Sequence, residues 1–348
     1  MSELRTLLPY FRPYRRGVAL GLACAGLANV LQIAAPYLTK LVIDGLSDPG
    51  VTRGRIVALG ALIVAAALVG GFFRYAMREL LNGISRRIET DLRNDFFRHL
   101  LRLDATYYGT TRTGDLMSRA TNDTSAVRQA AGPAVMYLVN TAVTFVFALG
   151  MMLWISPRLT LLAMIPMVGL PAIVLGFGRV IHRRYEQIQE QFAALSTFVQ
   201  ENLSGVRIVR AYTREREETK RFDAYNDDYR ARNMALVRTS GAFHPLLSLL
   251  SGVAMVLVTG VGGLEVMAGG ITLGDFVAFS MYLTMLVWPM IALGWVVNLF
   301  QRGEASMGRL NVVLRAQPAV QAPAQPATLT EVRGEIEFRA VSFRYPGT

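Results

Sequence analysis

Few side chains in this sequence are spaced for bond-making chemistry. His99, His182 and His244 do not have metal-ligand spacing, and Cys24 is the single cysteine, so no intrachain disulfide forms. A loop that cradles phosphate reads G-x-x-x-x-G-K-[ST] after a strand. The nearest string runs from Gly303 to Gly308 and is followed by Arg309 and Leu310, within a helical pattern. No catalytic residue and no metal site is therefore assigned. The residue types that remain suit recognition and packing. Residues 106–123, TYYGTTRTGDLMSRATND, are polar and turn-rich. Gly109 is suited to end a helix, Thr113 or Gly114 to cap a new one with Asp115 in its first turn, and Asp123 to cap the next. A short helix is expected over residues 115–121.

A second set of polar groups lies where polar groups are costly. Asn29, Gln32, Asn140, His244 and Asn298 fall inside long apolar runs. At that depth they either bond a neighbouring helix or face a watery cavity. Met281, Met285, Trp288 and Trp295 could line an adaptable apolar cavity, and helix packing accounts for them equally well.

The elements that hold these groups follow from the distribution of charge. Hydrophobic residues make up 52% of the 348. They cluster in five charge-free runs, 56–73, 133–155, 159–178, 239–264 and 276–300, each long enough to cross a bilayer as a helix. A sixth, 17–43, carries only Lys40, which makes six spans. The basic lead-in before residue 17 looks like a signal peptide, but its apolar run is too long and lacks a small-residue cleavage site, so it is read as a retained span. Its mix of Leu4, Leu7, Tyr10, Phe11 and arginines suits a helix lying in the membrane interface.

The net charge is +11, yet the cations do not form a soluble basic domain. All but Lys40, Arg53, Arg55 and Arg158 lie before residue 17, in 74–128, in 179–238 or after 300. By the positive-inside bias these segments are cytoplasmic, so both termini are too, and a nucleic-acid partner is excluded as the reason for the charge. The arginines of the long segments are read as solvated faces and intrahelical ion pairs.

Two of the basic segments keep a helical stripe. Leu81, Ile84, Ile88, Leu92, Phe96, Leu100 and Leu103 recur at steps of three and four, as do Ile181, Tyr185, Ile188, Phe192, Leu195, Val199 and Leu203. Each reads as a long helix leaving the membrane, a short element at its tip, and a long helix returning. Pro36, Pro166, Pro171, Pro245 and Pro289 read as kinks. After about residue 315, QPAVQAPAQPATL reads as a linker. A period of two through Ile336, Phe338, Val341, Phe343 and Tyr345 then reads as strand. The fold class is an all-α membrane protein with six spans, long extensions, short tip helices and a short β segment at the C-terminus. The divisions are 1–315, 316–332 and 333–348.

Together these parts resemble the membrane half of an exporter-type ABC transporter, over essentially the whole chain. Thr113, Gly114, Asp115, Leu116, Ser118, Arg119 and Asp123 match the family's first coupling loop. Glu201, Gly205, Val206, Val209, Ala211 and Glu215 are similar to its second, and Gly270, Ile271, Thr272, Gly274 and Asp275 to the loop before its last span. GEIEFRAVSFRYPG is similar to the first strands of its nucleotide-binding domain, with Tyr345 at the position that stacks on adenine.

The resemblance implies a lipid bilayer, a second membrane half in a homodimer or heterodimer, and nucleotide-binding domains as partners. ATP and Mg2+ are implied for the complete protein. No downstream ATPase motif is present, so the sequence as given is expected to be a fragment that cannot hydrolyse ATP. The implied contacts with the nucleotide-binding domains are Asp115, Leu116, Met117, Ser118 and Arg119, and Val206, Arg207, Val209, Arg210, Ala211 and Tyr212. The tip around Asp115 to Arg119 is expected to be solvent-exposed. The implied cavity residues are Asn29, Gln32, Asn140, His244, Met285, Trp288 and Asn298, around a hydrophobic or amphipathic cargo moved by alternating access across the plasma membrane. The alternative is a secondary transporter, channel or receptor membrane domain with a cytoplasmic regulatory domain.

Overall fold

A computed structural model describes residues 2–46, 50–318 and 334–344, and its dominant feature is helix length. Turns of 3-10 helix at Glu3–Leu7 and Arg12–Tyr14 flank α1 (Leu8–Phe11). The first two long helices are α2 (Arg15–Leu46) and α3 (Arg53–Leu100). Two short helices follow, α4 (Ala105–Thr110) and α5 (Thr113–Ser118), the second continuing through a π turn at Arg119–Asp123 into α6 (Thr124–Gln129). A second π turn at Ala130–Ala134 leads into α7 (Val135–Ile155). Beyond it lie α8 (Pro157–Met167), α9 (Gly169–Ser204), α10 (Val206–Ala211), α11 (Glu215–Met267) and α12 (Leu273–Leu314). Among the described residues six helical passages are long and apolar enough to cross a membrane, and each contains one of the six apolar runs. This is a multi-pass membrane protein.

Length separates membrane from extension. The 48 residues of α3 span about 72 Å and the 53 of α11 about 80 Å, more than twice a hydrocarbon core. The stripe on α3 is buried as its spacing requires: Leu81, Ile84, Ile88, Leu92 and Phe96 all face the bundle. α12 sits at the centre, against α2, α6 and α7. In the span layer, Tyr282 of α12 donates to the carbonyl of Ile33 at 2.9 Å. That carbonyl lies in the turn before Pro36, and the bond ties α12 to α2 beside the proline.

α9 and α11 pair mainly with each other, forming an arm that extends from the bundle. Its seam differs from the sequence pattern. Ile188, Gln191 and Phe198 are buried, with Phe198 stacked on Tyr225 at 5.1 Å, whereas Tyr185, Phe192 and Leu203 are exposed. One partner helix covers only one narrow stripe, so three of the seven apolar positions stay uncovered. The tip-proximal half of α11 carries no buried residue at all.

Two further expectations are corrected. Gly109 does not end a helix but lies inside α4, which Asp104 caps by accepting from the amides of Thr106 and Tyr107. The N-terminal segment, read as an interfacial helix, hooks onto the tip ends of α3 and α12. Leu7 is buried against them, Tyr10 and Tyr14 donate to Asp95 and Asp91 at 2.9 and 2.8 Å, and Glu3 accepts from Asn311 and Arg315. Finally, residues 334–344 form no strand, and Ile336 and Phe338 are exposed. A period of two becomes a strand only where a neighbour takes up its N–H and C=O groups, and the described residues supply none. Tyr345 and most of the linker lie outside the described residues.

Candidate functional site

The first tip rests on the bundle through a buried anchor and a network of charges. Within α5, Leu116 is only 5% exposed and packs with Leu7, Leu92, Phe96, Leu310 and Val313, while Met117 is 60% exposed. The expectation of a uniformly exposed tip therefore fails at Leu116, whose side chain holds the helix down. Asp115, Met117 and Ser118 form its free face, and Arg119 is half-buried. Arg119 pairs with Asp115 at 2.7 Å and donates to the backbone carbonyl of Arg309 at 2.9 Å.

Asp123 caps nothing. It is buried in the π turn, where its two carboxylate oxygens take both arms of the Arg309 guanidinium, with Nε at 3.0 Å. On the other side Arg93 donates to the carbonyl of Ala120 at 3.1 Å, and Glu89 bridges Arg93 and Arg128. The first tip is thus tied to α3 and α12 together.

The second tip is built differently. α10 ends in a Schellman turn: the Arg214 amide bonds the carbonyl of Val209 and the Thr213 amide that of Arg210, with Thr213 at φ 51. Val206, Arg207, Arg210, Ala211 and Tyr212 are exposed, Val209 is half-buried, and Ile208 stands out beside Tyr212 as uncovered apolar surface. A groove of about 260 Å3 lies between α9, α10 and α11, lined by Phe198, Leu203, Val206 and Phe222, with Glu218 at its edge. The amide of Asn202 donates to Glu218 at 3.2 Å and, with Arg221 beside it, holds that carboxyl below its ordinary range.

The polar residues of the spans divide into two groups. Gln32, Asn140 and Trp288 come together around a cavity of about 320 Å3 with Arg74, Met77, Arg78, Met136 and Tyr137. Asn29 does not join them: it is buried, donates to the carbonyl of Ala25 and accepts from Thr144 of α7 at 2.8 Å, so it is an interhelical clasp. Met285 packs into the core of the span layer. His244 and Asn298 are exposed and line none of this cavity. Arg74 and Arg78, read from the sequence as solvated, are exposed, and they also line this cavity one helical turn apart, a role their position at the end of a charge-free run could have signalled.

The sequence's nearest phosphate-loop string does not fit a phosphate. The string from Gly303 to Gly308 lies inside α12, where its amides are engaged in the helix, and a Cβ on Gly303 would collide with Ala130. Among the described residues no three His, Cys, Asp or Glu side chains gather to hold a metal ion.

At the opposite end of the bundle from the tips, the loop residues cited for the resemblance close a third contact. Asp44 of α2 accepts from the Thr272 hydroxyl and the Gly274 amide, both at 2.9 Å, and Lys40 pairs with Asp275 at 2.6 Å. Thr272 and Asp275 form a reciprocal capping box at the start of α12.

The chain is similar to several named proteins. It is 35% identical, over 97% of its length, to the multidrug resistance-like ATP-binding protein MdlA of Escherichia coli, and 34% identical, over its whole length, to the probable multidrug resistance ABC transporter ATP-binding/permease protein YheI of Bacillus subtilis. An ATP-dependent lipid A-core flippase of Syntrophus aciditrophicus is 27% identical over the whole chain. The chain spans only 57%, 59% and 58% of those three proteins. The sequence model of the ABC transporter transmembrane region matches residues 18–290. With six membrane-crossing helices, two long extensions and a short helix at each tip, the chain belongs to the ABC transporter transmembrane region family.

Proposed function

We propose that the chain is the membrane-spanning half of an ATP-driven exporter that moves a hydrophobic or amphipathic cargo by alternating access. Residues 1–315 form its transmembrane domain, 316–332 its linker and 333–348 the opening of a nucleotide-binding domain, in which Tyr345 stacks on adenine. Both termini lie in the cytoplasm and the protein resides in the plasma membrane. Two such halves pair, and ATP with Mg2+ is bound by the nucleotide-binding domains. The named relatives, described as multidrug proteins and a flippase, support this class of cargo.

The observation that carries the reading is the second tip. An apolar surface of Leu203, Ile208 and Tyr212 stands uncovered at the end of an arm whose outer half buries almost nothing against its own bundle. Such a surface is stable in water only when a partner covers it, and a nucleotide-binding domain is the partner proposed. Stiff helices transmit the displacement, and hinges at Pro and Gly absorb the angle.

The test uses the whole protein in proteoliposomes. Ile208→Asp and Met117→Asp are expected to leave ATP turnover measurable while abolishing ATP-dependent accumulation of a fluorescent amphiphile. Unchanged accumulation in both variants overturns the bearing role of the tips. No ATP-dependent accumulation in the unaltered protein, across neutral, cationic and anionic amphiphiles, overturns the exporter reading.

A further inference from the structure

The cavity shared by α2, α3, α7 and α12 carries two positive charges and no negative one. Arg74 donates to the side-chain carbonyl of Gln32 at 2.8 Å, a neutral partner, and Arg78 lines the same space one helical turn further on. Among the described residues neither guanidinium meets a carboxylate. Long side chains on a helix lean toward its N-terminus. On α3 that direction leads from Arg74 and Arg78 back along the charge-free run 56–73, and both side chains are exposed, open to an incoming group. Two such cations on one cavity wall with no carboxylate partner favour an anion between them.

The cavity does not end at its polar wall. A second space of about 230 Å3 lies between α2 and α3, bounded by the same Gln32 and Arg74 and otherwise by Ala28, Leu31, Ile63 and Gly71. The two spaces form a polar head pocket and an apolar slot joined at one arginine. Trp288 and Met136 close the head pocket with surface that tolerates varied shapes.

We propose that this is a cargo site for an anionic amphiphile, with a phosphate or similar oxyanion between Arg74 and Arg78 and its alkyl chain in the slot between α2 and α3. The planar forks of the two guanidiniums match tetrahedral oxyanions. A cationic amphiphile would face both arginines with nothing to pair. The inference rests on the exporter reading for its word "cargo", but the site itself can be measured on this chain without ATP.

The experiment follows tryptophan fluorescence of the purified chain in dodecyl maltoside, in a Trp154→Phe background that leaves Trp288 and Trp295 as reporters. The probes are dodecyl phosphate, butyl phosphate, inorganic phosphate and dodecyltrimethylammonium. Dodecyl phosphate is expected to bind more tightly than the other three, and less tightly as salt rises. Arg78→Gln should weaken it roughly tenfold, the loss of one charge-assisted contact. Gly71→Leu places a side chain in the slot where a Cβ meets nothing within 4 Å, so the fold accommodates it. That variant should weaken dodecyl phosphate but not butyl phosphate.

Equal or tighter binding of the cationic amphiphile overturns the proposal, as does indifference to Arg78→Gln. Inorganic phosphate binding as tightly as dodecyl phosphate would mark a free-anion site and overturn the amphiphile. If Arg78→Gln fails to fold, the salt series on the unaltered residue decides, since binding insensitive to salt also overturns the proposal. Binding as expected without transport by the whole protein would sink the exporter reading and leave the site standing. Transport without this binding would do the reverse.

Discussion

Arg309 grips both carboxylate oxygens of Asp123 from 186 residues away, while its own backbone carbonyl accepts from Arg119. Two neighbouring groups on the first tip are thereby fixed to one residue near the end of α12. Breaking a buried ion pair costs about 3–5 kcal/mol, and because Arg309 is half in solvent the loss expected for Asp123→Asn is smaller, about 1–2 kcal/mol. Arg309→Gln should lose a similar amount, and the double variant little more than either alone. Thermal unfolding of the four proteins in detergent checks this; additive losses would show that the pair is not a unit.

Leu116 and Met117 are adjacent but opposite in role. Leu116→Ala removes a buried side chain and is expected to cost about 2–4 kcal/mol. Met117→Ala should change stability by no more than about 0.5 kcal/mol, because its side chain touches little of the chain. Melting curves of the two variants give the comparison, and equal destabilisation would contradict the burial of Leu116.

Thr213 holds the left-handed position of the turn after α10. A β-branched residue is strained there and glycine is not. Thr213→Gly should stabilise the turn by roughly 0.5–1 kcal/mol. Slower hydrogen exchange at the Thr213 and Arg214 amides would register the gain; faster exchange would mean the strain is absent.

Asn29 and Thr144 close a buried contact between α2 and α7. Thr144→Val should cost about 1 kcal/mol of stability, the usual net worth of one such bond. It should leave dodecyl phosphate binding unchanged, since neither residue lines the cavity. A shift in affinity without a shift in melting would return Asn29 to the cargo site.

The spans and the long stripe of α3 were legible because both rest on composition and local period, which the chain carries in itself. The errors share a different origin. Asp123 before a helix looks like a cap in any sequence; that it is buried depends on Arg309, at a distance no local pattern encodes. Leu116 is one apolar residue in a polar stretch, too isolated to show a face. Tyr185, Phe192 and Leu203 keep the period of a buried seam, and only the number of helices packed beside them decides how much of it is covered. Arg74 and Arg78 read as solvated and are exposed; that they share a cavity wall with residues of α2, α7 and α12 depends on packing that no local pattern encodes.

The hook formed by the first residues has a mechanical meaning. Glu3 grips α12 at Asn311 and Arg315, and Tyr10 and Tyr14 grip α3 at Asp95 and Asp91. The segment between them is a bracket that bolts the end of the last helix to the second. A pull or twist arriving at Arg315 is therefore shared with α3 outside the membrane, by a route that bypasses the embedded bundle altogether.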